Sequence, residues 1–389
     1  MANNNKHTGP NVPALRFPEF SGEWEKVLLS SACEINPKTG SLDNQFLYID
    51  LESVVKGSLV KRQIIEKDGA PSRAQRVLKE NDILYQCVRP YQLNNYIFEG
   101  DTIQCVASTG YAQLRTTQFP LYIFQALHTK RFTNQVLERC TGTNYPAINS
   151  SDLGTVEVPI CSLPEQVKIG SLLALIDSRI KTQSKIIEEL TALRSALLEK
   201  VFQVSNPTLE VGAIAHQTSE RNKLCRYSNV LSVSNRFGFI NQSEQFEDRN
   251  VASDDVRNYK VVHRGDFAYN PARINVGSIA MLKSFESGIV SPMYICFQVD
   301  DTIVDPSFFE LFLETKAFKD EMEIRLEGSV RRCLSFEALC EIHLPRPALL
   351  VQRSISDKIG NISSKIKLED SILRAYIRQK EWLLKQMFI

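Results

Sequence analysis

A long internal duplication constrains this chain more than any local motif. Shifting the sequence by 186 residues places Gly142 on Gly328, Leu153 on Leu339, Pro159 on Pro345 and Gln166 on Gln352. The same shift places Ile169, Ile176 and Ile180 on Ile355, Ile362 and Ile366, Leu197-Leu198 on Leu383-Leu384, and Phe202 on Phe388. Upstream the register slips by a few residues, as loop insertions produce. There Asn81-Asp82-Ile83-Leu84-Tyr85 resembles Gly265-Asp266-Phe267-Ala268-Tyr269, and Ser108 with Tyr111 resembles Ser291 with Tyr294. The period is too long for a solenoid and suits a domain copied once.

Each copy repeats one internal order. Strand-like apolar runs with many turn residues come first (46–55 in one copy, 288–299 in the other), then a helical segment, a glycine turn and an apolar strand ending in proline. A long helix closes each copy. In the first, Ile169, Leu173, Ile176, Ile180, Gln183, Ile187, Leu190, Arg194, Leu197 and Val201 advance by alternating steps of four and three, the seam of a coiled coil. The second seam is Ile355, Ile359, Ile362, Ile366, Glu369, Leu373, Tyr376, Lys380, Leu383 and Met387, with polar residues at the same two places. Pro164 and Pro347 lie near the helix starts, where a missing N–H costs little. About 40 residues follow, or ~60 Å of helix. Burial in a domain core is the plain alternative for such stripes; their length favours pairing between the two copies.

The expected fold is α+β: two tandem α/β domains separated by two long helices, with pseudo-twofold symmetry. The expected boundaries are 1–17 for an N-terminal arm, 18–160 and 206–346 for the domains, and 161–205 and 347–389 for the helices. The helix-pair interface is expected at Ile169, Leu173, Ile176, Ile180, Ile187, Leu190 and Leu197, and at Ile355, Ile359, Ile362, Ile366, Leu373, Tyr376 and Leu383.

Composition narrows the function. Lys+Arg 46 against Asp+Glu 45 gives a net charge of +1, which argues against a blanket electrostatic grip on nucleic acid or an anionic membrane. No apolar run reaches the ~20 residues needed to span a bilayer, and MANNNKHTGP has no apolar signal core, so a cytoplasmic chain is expected. The nine cysteines form no CxxC pair and no Cys/His cluster; reduced thiols and no metal site are expected. There is no GxGxxG and no GxxxxGK[ST]. The nearest string to an adenine-methyltransferase tetrad, Asn270-Pro271-Ala272-Arg273, lacks the second proline and the aromatic. Asp301 with Glu314-Thr315-Lys316 faintly suggests a nuclease site, but the surrounding helical spacing makes these charges a solvated face. A non-catalytic chain is expected.

Several segments resemble the specificity subunits of type I restriction–modification enzymes. They are Leu163-Pro164-Glu165-Gln166 with Ile169, Asp177 and Ile180, the opening LRFPEFSGEW (15–24), TGTNYPAINSSDLGTVEVPI (141–160), and the weaker copy at 345–389. The likeness runs from about residue 15 to the end. It implies that the two domains are target-recognition domains, each reading one half of a split double-stranded DNA site, and that the two long helices are antiparallel, with the helix pair binding two methyltransferase subunits and restriction subunits joining them. S-adenosylmethionine, ATP and Mg are then expected on partner subunits, with no cofactor in this chain. The second copy departs at its helix start, with Val351-Gln352 where the first has Glu165-Gln166. If both domains read one DNA face, their half-sites lie about one helical turn apart, ~34–36 Å.

DNA readout needs Arg or Lys for guanine and Asn or Gln for adenine. Ser72, Arg73, Gln75 and Arg76 follow turn residues, in a segment that resembles a recurring one in the family; a surface loop with incidental charge is the alternative. Arg89 and Tyr91 follow. Asn144 and Tyr145 after Gly142 have Ser329, Arg331 and Arg332 after Gly328 as counterparts; a turn at a strand start is the alternative. Asn270, Arg273 and Asn275 form the second-copy candidate, with Arg273 and Asn275 on one strand face, and Arg236 is a weaker third. A duplicated coiled-coil scaffold that reads no DNA is the rival function.

Overall fold

The structure is a computed structural model that describes residues 11–203, 208–235, 237–242, 255–328 and 332–389. Its contacts divide into two compact units, residues 1–185 with 371–389 (unit 1) and residues 186–370 (unit 2).

Unit 1 holds two four-stranded sheets. One orders its strands Cys33–Ile35, Tyr111–Thr116, Ile83–Gln86 and Tyr96–Ile97, all antiparallel. The other orders Gln63–Glu66, Gln45–Ile49, Cys105–Ser108 and Ala74–Val77, with one parallel pair in the middle. Glu25–Leu28 pairs antiparallel with Glu157–Ile160 just before the long helix. Unit 2 repeats this order. Ala215–Thr218, Ile295–Val299, Phe267–Tyr269 and Ile279–Met281 form the first sheet. The hairpin Leu231–Ser234/Gly238–Asn241 and the pair Lys260–His263/Ser287–Val290 meet through a parallel bridge between Val230 and Ile289. Thr208–Glu210 pairs with His343–Pro345 before the second long helix.

Each unit packs a helix pair against its first sheet: Pro120–Ala126 and Lys130–Arg139 in unit 1, Pro306–Glu314 and Lys316–Arg325 in unit 2. The second helix of each pair is capped by a buried threonine. Thr129 Oγ1 accepts from Phe132 N and donates to Ala126 O; Thr315 Oγ1 accepts from Phe318 N and donates to Phe312 O. Such a cap satisfies a backbone N–H that the helix itself cannot. Lys316 pairs with Asp320, and Glu314 with Arg194 at 2.8 Å, so both charges named at this junction have ion-pair partners.

The long helices are Leu163–Gln203 and Leu349–Met387. In unit 1, residues 163–185 run antiparallel to residues 371–387. Ile169, Leu173 and Ile176 join Leu383, Met387 and Phe388 in one core with Trp24 and Tyr122. In unit 2, Leu198 and Phe202 of the first helix pack with Ile359 of the second and with Phe308 and Phe312. Ile180, Ile187, Leu190, Ile355, Ile362, Ile366, Leu373 and Tyr376 are half-buried. Leu197 is exposed, and Leu198 takes the buried place. A straight helix of 3.6 residues per turn drifts against a 3.5-residue repeat, so the seam moves by one position over its length. The polar seam residues are engaged: Lys380 reaches Asp177 (2.5 Å) in unit 1, and Arg194 reaches Ser363 (2.7 Å) in unit 2.

The aligned glutamines fix each helix start. Gln166, inside unit 1, accepts from Phe119 N (3.1 Å) and donates to Cys161 O (2.8 Å). Gln352, inside unit 2, accepts from Asp305 N (2.9 Å) and donates to Pro347 O (2.8 Å). Next to Gln166, Glu165 is wholly buried and takes a bidentate contact from Arg16 (2.7 and 2.8 Å); Val351, its counterpart, is exposed. All nine cysteines are free, and burial pushes the Cys33 and Cys87 thiols up to about 11.

Candidate nucleic-acid interface

In unit 1 the candidate side chains fall on neighbouring segments. Ser72 and Arg73 are exposed ahead of the strand Ala74–Val77, on which Gln75 is exposed and Arg76 half-buried. Gln75 Nε2 donates to Ser72 O at 2.7 Å. The strand Ile83–Gln86 runs out through Cys87 to Arg89, whose left-handed backbone (φ 54°) starts a turn over Pro90–Gln92 and leaves Tyr91 exposed. A turn at Thr109–Gly110 ties these segments together: Thr109 N donates to Arg73 O (2.9 Å), and Cys87 N donates to Gly110 O (3.1 Å).

The last segment is a closed loop. Thr141 and Ala147 exchange backbone hydrogen bonds of 2.9 and 3.0 Å, and Gly142 between them takes φ 90°, a conformation that side chains resist. Arg89 N donates to Pro146 O (2.7 Å), and its guanidinium lies 4.4 Å from the centre of the Tyr145 ring. This cation–π contact holds Arg89 and Tyr145 as one surface, beside the exposed Asn144. The structure therefore brings Arg89, Asn144 and Tyr145 together, and places Arg73 one turn away.

Unit 2 builds the same device. Glu327 and Cys333 exchange backbone bonds of 3.0 and 2.8 Å around Gly328, which takes φ 105°. Leu334 N donates to Pro271 O (3.2 Å), as Ile148 N donates to Cys87 O (3.0 Å) in unit 1. The loop is thus moored to the end of the same strand. Ser329, Arg331 and, elsewhere, Arg236 lie outside the described residues. Arg332 is drawn to Glu323, donating to its carboxylate (3.0 Å) and its carbonyl (2.8 Å).

One expectation is corrected here. Arg273 and Asn275 are not on a strand. Asn270 Oδ1 accepts from Ala272 N (3.1 Å) and Asn270 O from Arg273 N (2.9 Å), folding the chain back after Pro271. A 3-10 turn over Ile274–Val276 follows and ends at Gly277, φ 87°. Proline removes a ladder donor and the Asn side chain offers a competing local bond, so the strand stops at Tyr269. Arg273 and Asn275 remain exposed on that turn. Sequence reasoning missed Met293, 61% exposed, whose sulfur lies 3.5 Å from Asn270 Nδ2.

Charge is local rather than global. Among the described residues, Arg73, Arg76, Arg89 and Arg273 take part in no ion pair, whereas Arg62, Arg194 and Arg332 do. In unit 1 the unpaired Arg89 beside the exposed Asn144 can meet an anionic polymer despite a net charge of +1. No group of three or more His, Cys, Asp or Glu among the described residues is placed to hold a metal ion, and no helix among them is long and apolar enough to cross a membrane.

Residues 21–192 match the family model described as the type I restriction modification DNA specificity domain. Over 280 residues the chain is 23% identical to the type I restriction enzyme MjaVIII specificity subunit of Methanocaldococcus jannaschii, covering 64% of each. Over 172 residues it is 24% identical to the type I restriction enzyme HindI specificity subunit of Haemophilus influenzae, covering 43% of this chain and 34% of that one. The matched region is thus less than two thirds of either relative. Two solved structures share the fold. The S subunit of a type I restriction–modification system from M. genitalium superposes with a TM-score of 0.59 at 16% identity, over 97% of this chain and 99% of that one. A chain from a structure describing assembly and conformational transition of a type I R-M system gives 0.53 at 19% identity, over 94% and 97%.

Proposed function

We propose that this chain is a specificity subunit of a type I restriction–modification enzyme and selects the DNA sequence on which partner subunits act. Each unit reads one half of a split, asymmetric double-stranded site. The observation that carries this is the same backbone closure at a glycine, moored to the same strand end in both units, with different residues in the sequence that follows the glycine. One scaffold with two side-chain sets is what two readers of unlike sequences require. Arg89 and Asn144 supply the guanine- and adenine-type donors in unit 1, and Arg273 and Asn275 in unit 2.

The chain itself carries out no chemistry in this proposal. Two methyltransferase subunits bring S-adenosylmethionine, and restriction subunits bring ATP and Mg. Exposed apolar side chains on the long helices, Leu175 and Trp382 in unit 1 and Leu193 and Leu368 in unit 2, offer those subunits surface to cover. Because the chain is nearly neutral, much of the phosphate grip falls to the partners, so the isolated chain binds DNA weakly and with strong salt dependence. The assembly works in the cytoplasm.

The test is to co-express the chain with its methyltransferase subunit and map methylated adenines by long-read sequencing. A two-part motif with an unspecified spacer supports the proposal; a continuous palindrome or no methylation defeats it. Arg89→Ala is expected to relax one half of the motif and Arg273→Ala the other, with assembly intact. The scaffold alternative predicts no effect of either.

A further inference from the structure

Beside the reading loop of unit 1, the edge strand Ala74–Val77 lines an open groove of about 410 Å³ with residues 36–40 and Leu42. Arg76 is half-buried in its wall, and its Nε is buried without an acceptor. No carboxylate among the described residues pairs with it, and burial holds its pKa below the usual arginine value. Arginine stays charged in proteins, so this guanidinium lacks a counter-charge that the folded unit does not supply. Lys38 and Gly40, both exposed, line the same groove, and Asn36 is fixed there by bonds to Ser150 Oγ (2.7 Å) and Gln113 N (3.0 Å).

We propose that this groove seats a single backbone phosphodiester of the DNA held by unit 1, clamped between Arg76 and Lys38; the proposal rests on the DNA-reading function above. The choice of phosphate over base follows from depth. A base edge lies roughly 8.5 Å down the major groove, out of reach of a recessed guanidinium on a sheet edge. Phosphates are the outermost groups of the duplex and can enter a shallow groove. A phosphate also supplies the counter-charge that the Arg76 guanidinium lacks, and arginine favours phosphate as a partner. The aligned position of unit 2 is filled differently. Arg76 stands opposite Ala107 as Lys260 stands opposite Val290, and Lys260 already donates to Tyr294 O at 2.6 Å. The clamp is therefore assigned to unit 1.

The test uses the full assembly with methyltransferase subunits and a duplex carrying its mapped motif, with affinity measured across a salt series. Arg76→Gln and Lys38→Gln are each expected to weaken binding and to lower the slope of log affinity against log salt by about 0.9, the value for one phosphate. The methylated motif stays the same, and Arg76→Lys restores the slope. An altered motif would show base contact and overturn the clamp. Unchanged affinity and slope in both variants would overturn it as well. Lys38 is exposed, so its variant reports on binding even if Arg76→Gln unfolds. If the wild-type assembly selects no sequence, the DNA-reading function fails and the clamp with it; selection without a slope change removes the clamp alone.

Discussion

Unit 1 and unit 2 share one order of strands and helices yet anchor their long helices by different chemistry. In unit 1 the helix start buries Glu165 against Arg16, whose guanidinium also donates to Ser21 O (3.0 Å) and Gly22 O (2.5 Å). In unit 2 the aligned residue is an exposed valine. The glutamine one place further on does the same job in both. The shared glutamine marks what the fold requires, and the ion pair marks what unit 1 added. A buried charge pair is costly to desolvate, so its presence adds little net stability, whereas removing one partner strands the other.

The two units are expected to differ most at Arg16. Arg16→Ala leaves the Glu165 carboxylate buried without a partner and is expected to destabilise unit 1 by about 3–5 kcal/mol, seen in denaturant unfolding as a shift confined to unit 1 probes. A loss of under 1 kcal/mol would mean the pair is not what holds the segment. Acid comes next. Burial, aided by nearby Lys380, pulls the His128 pKa down to about 4; its Nδ1–H donates to Phe124 O at 2.6 Å, leaving Nε2 toward Asn95. The unfolded histidine titrates near 6.5, so protons favour the unfolded chain. Stability from this residue is complete above pH 6.5 and falls as pH drops toward 4, by about 3 kcal/mol across that range. Glu314 aligns with His128 in unit 2, so unit 1 is expected to melt first in acid, and His128→Gln is expected to flatten its pH dependence.

Gln166→Ala and Gln352→Ala sharpen the shared half. Each strands a backbone N–H, of Phe119 or Asp305, and is expected to cost about 1–3 kcal/mol in its own unit. Clearly unequal losses would show that the two starts are not equivalent. The smallest effect is expected for Val351→Glu, within about 0.5 kcal/mol, because the exposed position neither strands nor satisfies a charge. A strong response there would reveal a hidden partner for unit 2.

Much of this was legible because it is periodic. The four-and-three spacing marked both helices to within a few residues, and the 186-residue shift singled out Gln166 and Gln352 before any contact was known. Gly142 and Gly328 marked the loops for the same reason: only a left-handed backbone closes them. What escaped depends on contacts far apart in sequence. Pro271 and the Asn270 side chain turned an apparent strand at Arg273 into a 3-10 turn. Arg332 looked free but sits against Glu323. Met293 and Lys38 gave no periodic signal and join their sites through folding alone.

The seating of Leu383, Met387 and Phe388 in the core of unit 1 has a consequence for synthesis. Domains usually fold in the order the ribosome delivers them. Here residues 186–370 form one uninterrupted stretch and can complete unit 2 while translation continues. Unit 1, whose first segment precedes it, waits with Trp24 and Tyr122 uncovered until residues 371–389 emerge. Unit 1 is thus completed after unit 2 although its first segment is made earlier, and for that interval its open core is what a chaperone would meet.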